Sequence, residues 1–502
     1  MKFETVTQAV EALKKLQELL SAYNHVMGVV YLDSVTSAPK GTYEGRGRTL
    51  GVLTQVTYDL LANEENAVLF SFLDENKDSL DVKTIRQVEL LKKQYDQIKR
   101  IPSEEYVEYT MLINDAQVVW EKAKCNNDFA SFAPYLESIV CFNRKFAGYY
   151  NPEMKPYDAL LNEYEEGLTM DTLDGFFDNL RNTIVPLVEK IQSAPVVDDS
   201  FLYKHFPIEK QRMLSDYLME IMGLDRNICG IAESEHPFTI NFNTKDVRIT
   251  THYHENALAS SLYSVIHEGG HALYELGGNP DYDFTAINGG VSMGIHESQS
   301  RFYENIIGRS RAFIEYVYPK IQSLFPEQLQ GVSADEFYRA VNKAEPSLIR
   351  TEADDLTYSL HVMVRYEIEK KLIDGTLAVN DVPAEWNRLY KEYLGVDVPD
   401  DTNGCLQDSH WSGGSIGYFP SYALGSAYGP QILHSMQKEI GNIDALISEG
   451  KLAEITEWLR EKIHRHASFY KPADLFESVC GKFDAKYYTD YLNNKYTALY
   501  GL

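Results

Sequence analysis

Residues 267–271 read His-Glu-Gly-Gly-His, inside the stretch SLYSVIHEGGHALYELG (261–277), whose apolar residues otherwise recur at helical spacing. Residues four apart on a helix project from one face about a turn from each other, so the imidazoles of His267 and His271 are able to grip one ion from two sides. Glu268, beside His267, is placed to reach a water next to that ion. These residue types at this spacing suit metal-assisted peptide hydrolysis. In that reaction the cation brings the pKa of water to about 7 and polarises the carbonyl, while a glutamate takes the proton and passes it to the leaving amine.

A catalytic zinc needs a third protein ligand and an open position. A third histidine at the metzincin spacing is missing, because position 277 is Gly277. The segment GIHESQSRFYENIIG (294–308) instead offers Glu297, after 25 intervening residues, enough to finish one helix, cross the loop GGNPDYDFTAINGG and begin another. Glu297 is the expected third ligand. Its neighbour His296 diverges from it by about 100 degrees on a helix and is expected to face solvent or to support a ligand from behind. The glycine pair needs a reason, since each glycine costs about 0.8–1 kcal/mol relative to alanine in a helix interior. Gly269 and Gly270 are expected to let another backbone or helix come close to the metal-facing segment. The five cysteines, Cys125, Cys141, Cys229, Cys405 and Cys480, are odd in number and never form a CxxC pair. That argues against a disulfide framework or a Cys-ligated zinc and for a reducing compartment.

The elements that must position these residues are mostly helices. Apolar residues fall at i, i+3, i+4 and i+7 over residues 4–23, 84–99, 104–124, 169–193, 255–276, 352–373 and 451–466, which predicts a mainly α protein. The best strand signal is HPFTINFNTKDVRITTHY, directly before the HEGGH helix; its alternation and Asn-Thr-Lys-Asp turn predict a hairpin from His236 to about Tyr253. There is no internal repeat, and the turn-rich stretches SAPVVDDS (193–200) and GVDVPDDTNG (395–404) are weak linkers. The chain reads as a single unit over 1–502, with a helical N-terminal section of about 1–200 and a catalytic section of about 201–502.

A 502-residue chain that is 44% hydrophobic has ample material for a core. Its formal charge of −27, from 47 Lys and Arg against 74 Asp and Glu, repels phosphate backbones and anionic membrane surfaces, so no nucleic-acid or membrane partner is expected. The N-terminus lacks the apolar core of a secretory signal, and no apolar run reaches the roughly 18 residues needed to span a bilayer. The expected location is the cytoplasm.

Six ordered blocks make the sequence similar to a known family. They are HPF (236–238), DVRIT (246–250), HEGGH (267–271), HESQS (296–300), IRTEAD (349–354) and GCLQDSHW (404–411). Together they resemble the carboxypeptidase Taq type of zinc metallocarboxypeptidase, peptidase family M32. The resemblance implies a helical, saddle-like zincin fold akin to neurolysin and angiotensin-converting enzyme. It also implies a deep groove, a small β-hairpin or sheet beside the active site, and a homodimer. It implies release of C-terminal residues with broad specificity, proline disfavoured, from peptides with a free C-terminus. One divalent metal per chain is implied, with zinc expected and cobalt equally suited to a site of two nitrogens and an oxygen.

Carried onto this chain, His267, His271 and Glu297 bind the metal and Glu268 is the general base. Arg350 of IRTEAD receives the substrate's terminal carboxylate, for which a guanidinium offers a two-pronged fork. His236 and His410 are groove residues able to donate to a carbonyl or developing oxyanion. Tyr422 of GYFPSYALGSAYG (417–429) is the phenol expected to assist the tetrahedral intermediate, with Tyr418 its rival. Arg248 is counted with the substrate-binding residues, although with Asp246 it is also suited to holding the hairpin, whose strand edge is able to pair with a peptide backbone. The alternatives are an oligopeptidase or dipeptidyl carboxypeptidase with the same metal site, an endopeptidase having no need of a carboxylate anchor, and a non-catalytic peptide-binding protein.

Overall fold

The recurrence of apolar side chains at helical spacing is realised as twenty α-helices around one three-stranded sheet in residues 3–502, which the computed structural model describes. Four helices lead: α1 (Val6–Thr36), α2 (Tyr43–Leu61), α3 (Glu64–Glu75) and α4 (Val82–Arg100). Leu13, Leu16 and Leu20 of α1 meet Leu69, Phe70 and Leu73 of α3 and Leu91 of α4 in a small core of their own. Then come α5 (Ser103–Asn126), α6 (Phe129–Tyr150), α7 (Pro156–Tyr164), α8 (Met170–Gln192) and α9 (Ile208–Met222). Their apolar faces join the large core, which extends to the C-terminal helix. After the sheet follow α10 (Leu258–Leu276), α11 (Met293–Arg301), α12 (Arg311–Leu324), α13 (Ala334–Val341), α14 (Tyr358–Asp374) and α15 (Val382–Leu394). The last five are α16 (Pro420–Ile440), α17 (Ile443–Ser448), α18 (Leu452–Lys462), α19 (Pro472–Cys480) and α20 (Lys486–Tyr500). Among the described residues no helix is long and apolar enough to cross a membrane.

Several helix boundaries differ from the periodicity: the helix expected over 255–276 begins at Leu258, and the one expected over 451–466 ends at Lys462, followed by a 3-10 turn at His464–His466. The first helix runs on from residue 23 to Thr36. The helix expected over 352–373 starts only at Tyr358, because the Asp354 carboxylate accepts the backbone N–H groups of Leu356 and Thr357 and holds that stretch as a turn. The preceding residues Arg350–Glu352 form a single 3-10 turn, so Arg350 sits in a connection rather than on a helix surface.

The sheet comprises β1 (Cys229–Glu233), β2 (Thr239–Asn243) and β3 (Asp246–Thr251), with β3 in the centre. β2 and β3 form the hairpin read from the alternation, with an irregularity between Asn241 and Asn243. β1 pairs with β3 in parallel. The pattern gave no sign of β1, a five-residue CGIAE segment without apolar–polar alternation. Opposed residues of the hairpin share a face, which puts Thr239, Asn241, Val247 and Ile249 on the side of α10. There the Thr239 hydroxyl donates to the backbone carbonyl of Glu268 at 3.1 Å. Ile240, Phe242 and Arg248 take the opposite face, which meets α1 at Gly28, where a Cβ would lie 2.8 Å from the Phe242 ring.

α11 is wedged between α10 and α16 by two glycine notches. A Cβ on Gly270 would stand 2.8 Å from the carbonyl oxygen of Gln299 and the Cα of Ser300, both α11 backbone. A Cβ on Gly425 of α16 would stand 2.6 Å from Cβ and 2.9 Å from the backbone carbonyl carbon of Glu297. Backbone cannot swing aside as a side-chain end does, so these two positions set the spacing of the helices. Gly269 differs: its Cβ would meet the mobile thioether end of Met222, at 2.6 Å. The N-terminus of α11 is fixed as well, since Ser292 caps the N–H of Ile295 and the buried carboxyl of Glu165 accepts that of Gly294 at 2.9 Å.

The two glycines are therefore expected to respond differently to substitution. Gly270→Val should lower stability by about 1–3 kcal/mol or more and reduce metal content, because the side chain must push α11 away. Gly269→Ala should cost much less. Denaturant unfolding with metal analysis on both variants checks this, and equal effects would refute the notch.

Candidate metal centre

Of all groupings of His, Cys, Asp and Glu among the described residues, His267, His271 and Glu297 bring one potential ligand atom each to within 4.8 Å of one another. The helical repeat of α10 turns the two imidazoles toward each other, with ring centroids 5.0 Å apart and planes nearly perpendicular. α11 delivers Glu297 opposite them: its Oε2 lies 3.8 Å from Nε2 of His267 and 3.5 Å from Nε2 of His271. Both Nε2 atoms thus face the carboxylate.

The other nitrogen of each ring is engaged from behind. Nδ1 of His267 bonds Oε2 of Glu304 at 2.9 Å. Nδ1 of His271 lies 2.5 Å from Nδ1 of His296, whose Nε2 bonds Oε1 of Glu275 at 2.7 Å. Such backing fixes ring orientation and leaves Nε2 for an ion, so the donor set fits a divalent cation of the kind that takes nitrogen and oxygen ligands. His296 is thus a support for His271. Glu304 follows Arg301, where α11 widens into a π-helix over Phe302–Gly308, a local irregularity often found at functional sites.

Charge is balanced tightly. Burial works to neutralise Glu297, but Arg301, donating from Nε at 2.8 Å, and the two imidazoles hold its carboxyl well below the usual range. Burial pushes His271 down to about 3, so its ring is neutral and ready to ligate. Burial would lower His267 too, but Glu297 and Glu304 together leave it raised. Glu268 is nearly buried, which raises its pKa and makes it a better base, and the Thr239 hydroxyl donates to its Oε2 at 2.6 Å. The hairpin thereby fixes the carboxylate that the HEGGH helix presents.

A second cluster lies alongside. Arg301 stacks over the Tyr358 ring at 4.1 Å, and the Tyr358 hydroxyl accepts Nη1–H of Arg350 at 2.9 Å. Arg350 is buried and also donates twice to Oδ1 of Asp408, at 3.0 and 2.9 Å. Tyr422 lies 4.9 Å from its guanidinium and shares a hydrogen bond of 3.1 Å with Nε2 of His410. Burial, then Arg350, pushes His410 down to about 4, so the ring is neutral. Tyr418 sits edge-on to Tyr422 at 5.1 Å with its hydroxyl 4.0 Å from the Met293 sulfur, and burial followed by Glu297 pushes its phenol up to about 12. The structure thus brings Arg350, His410, Tyr418 and Tyr422 together near the His267, His271 and Glu297 cluster.

Two residues share no hydrogen bond with either cluster among the described residues. His236 is exposed in the connection between β1 and β2. Arg248 points to the sheet face away from α10, bidentate to Asp246 at 2.8 and 2.9 Å and 4.9 Å from the Phe242 ring, as a tie within the hairpin.

Sequence reasoning did not single out Glu304, Glu275, Arg301, Thr239, Tyr358 or Asp408. Signals existed for three of them: Glu275 is four residues after His271, and Arg301 and Glu304 follow Glu297 at four and seven, all helix-face spacings.

The carboxypeptidase Taq (M32) metallopeptidase family model matches residues 12–496. Carboxypeptidase 1 of Bacillus subtilis (strain 168) is 42% identical over 487 residues, covering 97% of each chain. Among solved structures, the M32 carboxypeptidase of Deinococcus radiodurans R1 superposes with a TM-score of 0.95 at 34% identity, over 99% of this chain and 100% of that one. Metallocarboxypeptidase 1 of Trypanosoma cruzi does so with a TM-score of 0.93 at 32% identity, over 97% and 99%.

If Glu304 orients His267, replacing it should weaken the ion's hold without removing a ligand. Glu304→Gln is expected to lower metal affinity about 10- to 100-fold, as loss of such backing groups does elsewhere. Competition with a chromophoric chelator measures it, and unchanged affinity would show that the contact does not matter.

Proposed function

The chain belongs to the carboxypeptidase Taq (M32) metallopeptidase family and is a metal-dependent carboxypeptidase; from that premise we propose the following division of labour. His267, His271 and Glu297 hold one divalent ion, zinc in our reading. That ion supplies a Lewis acid for the scissile carbonyl and acidifies water. Glu268 takes the proton from the attacking water and returns it to the leaving amine, which departs as a free amino acid. The Thr239 hydroxyl keeps the carboxylate aimed, and its raised pKa suits both halves of that cycle.

Arg350 receives the terminal carboxylate of the peptide. The observation that carries this reading is continuity: the side chains run Glu297, Arg301, Tyr358, Arg350, each touching the next, so the guanidinium stands close to the metal ligands. A buried guanidinium there would select chain ends without regard to the terminal side chain, in keeping with the broad specificity, proline disfavoured, that the family resemblance implies. Tyr422 and His410 line the same pocket and help to seat the carboxylate. Tyr418, whose hydroxyl contacts the Met293 sulfur at 4.0 Å while that of Tyr422 is engaged by His410, is the better placed of the two phenols to turn toward a developing oxyanion. The edge of β2 is suited to pairing with the peptide backbone, which makes few demands on side chains.

The test uses two peptides of one sequence, one with a blocked N-terminus and free C-terminus, the other the reverse, with and without chelator, followed by mass spectrometry. Single residues lost only from the free C-terminus, and only without chelator, are expected. Internal cuts in both peptides would instead identify an oligopeptidase, and no cleavage by metal-loaded protein would identify a binding protein. Glu268→Gln should retain the metal and lose about a hundredfold or more in kcat.

A further inference from the structure

The Arg350 pocket contains a second guanidinium that no substrate is able to reach. Arg365, on α14, has no exposed surface, whereas Arg350 is 5% exposed. An arginine carries five N–H donors. Arg365 spends its donors on protein: Nε bonds Oδ2 of Asp408 at 2.7 Å, Nη2 bonds Oε1 of Gln407 at 2.7 Å and stands in ion-pair contact with the same Oδ2 at 2.6 Å, and Nη1 bonds the carbonyl of His361 at 2.7 Å and the hydroxyl of Tyr390 at 3.3 Å. Arg350 uses Nε and Nη2 on Oδ1 of Asp408 and Nη1 on Tyr358. Each of its two Nη atoms therefore keeps one N–H free of protein partners among the described residues.

One carboxylate is thus divided between two guanidiniums, one oxygen to each. Among the described residues no second carboxylate hydrogen-bonds either guanidinium. His361 is held well below its ordinary range by burial and then Arg365, and His410 is neutral as described. Glu369, one turn beyond Arg365 on α14, is pushed up to about 7 by burial, and its oxygens are taken by Trp411, Tyr157 and the backbone of Gly417. The three-residue cluster carries a net charge of +1, which is costly to bury unless a further anion completes it.

We propose that Arg365 is a positioning residue that sets the charge of this pocket: by claiming Oδ2 of Asp408, it prevents Asp408 from closing onto Arg350 as a neutral pair and leaves one positive charge and two N–H donors for the C-terminal carboxylate of a peptide. The proposal rests on the reading that Arg350 binds that carboxylate. Without Arg365 both oxygens of Asp408 would turn to Arg350, and the site would no longer distinguish an acid from an amide.

The measurement is kcat and KM for one blocked peptide with a C-terminal acid and for its C-terminal amide, on metal-loaded enzyme. Arg365→Met is expected to reduce the acid-over-amide preference in kcat/KM about tenfold or more, chiefly through KM for the acid. Arg365→Lys, which keeps the charge, should retain most of it. The double variant Arg365→Met/Asp408→Asn, in which Arg350 alone again gives +1, should recover preference relative to Arg365→Met, an outcome that a merely structural role for Arg365 does not produce. Should the single variant fail to fold, the double variant decides, and loss of preference there overturns the proposal. Arg350→Met separates the two readings. If it abolishes preference while Arg365→Met leaves it intact, Arg365 has no such role and the anchor stands; if it leaves preference intact, the anchor falls and the proposal with it.

Discussion

A buried carboxylate that must stay ionised between two imidazoles governs much of this molecule. Glu297 is almost out of contact with solvent, and an isolated carboxylate there would take up a proton rather than pay the desolvation cost. Arg301, one turn further on, holds it as an anion, and Glu304 in turn engages both Arg301 and His267. Each buried charge is met by another, with the Arg309 guanidinium closing the group on Glu304. The chain's surplus of acids plays no part in this balance, which is set locally by a few groups within hydrogen-bond reach.

That electrostatic arrangement dictates the helix packing. For Glu297 to reach the HEGGH imidazoles, α11 must lie closer to α10 and α16 than ordinary side chains allow, and Gly270 and Gly425 remove the obstructing atoms. The glycine pair that weakens α10 as an isolated helix is therefore the condition for its role in the folded protein. The hairpin serves the same end from the other side, since its α10-facing residues fix Glu268 through Thr239 and bring Asn241 against Glu275, the residue that backs His296.

Legibility in the sequence followed sequence separation. His267, Glu268 and His271 announce themselves because a helix converts a spacing of four into proximity, and Glu297 could be found because one loop and one helix start suffice to return the chain to the site. The β2–β3 hairpin was visible for a similar reason: alternation and a turn are local. β1 was not, because its partner β3 lies beyond β2 in the sequence and its five residues carry no pattern. Arg365 and Asp408, 43 positions apart, become neighbours only through packing of α14 against the connection before α16. Arg350 marks the boundary between the two cases: the periodic stretch begins two residues after it, but the turn held by Asp354 delays α14 to Tyr358 and leaves Arg350 in a buried connection.

X-ray absorption at the metal edge of zinc-reconstituted protein tests the central claim most directly. Two imidazole nitrogens and carboxylate or water oxygen, at about 2.0–2.2 Å with no sulfur, are expected if His267, His271 and Glu297 are the ligands. A sulfur shell near about 2.3 Å, or a shell without imidazole scattering, would contradict it and remove the basis for the roles given to Glu268 and Arg350.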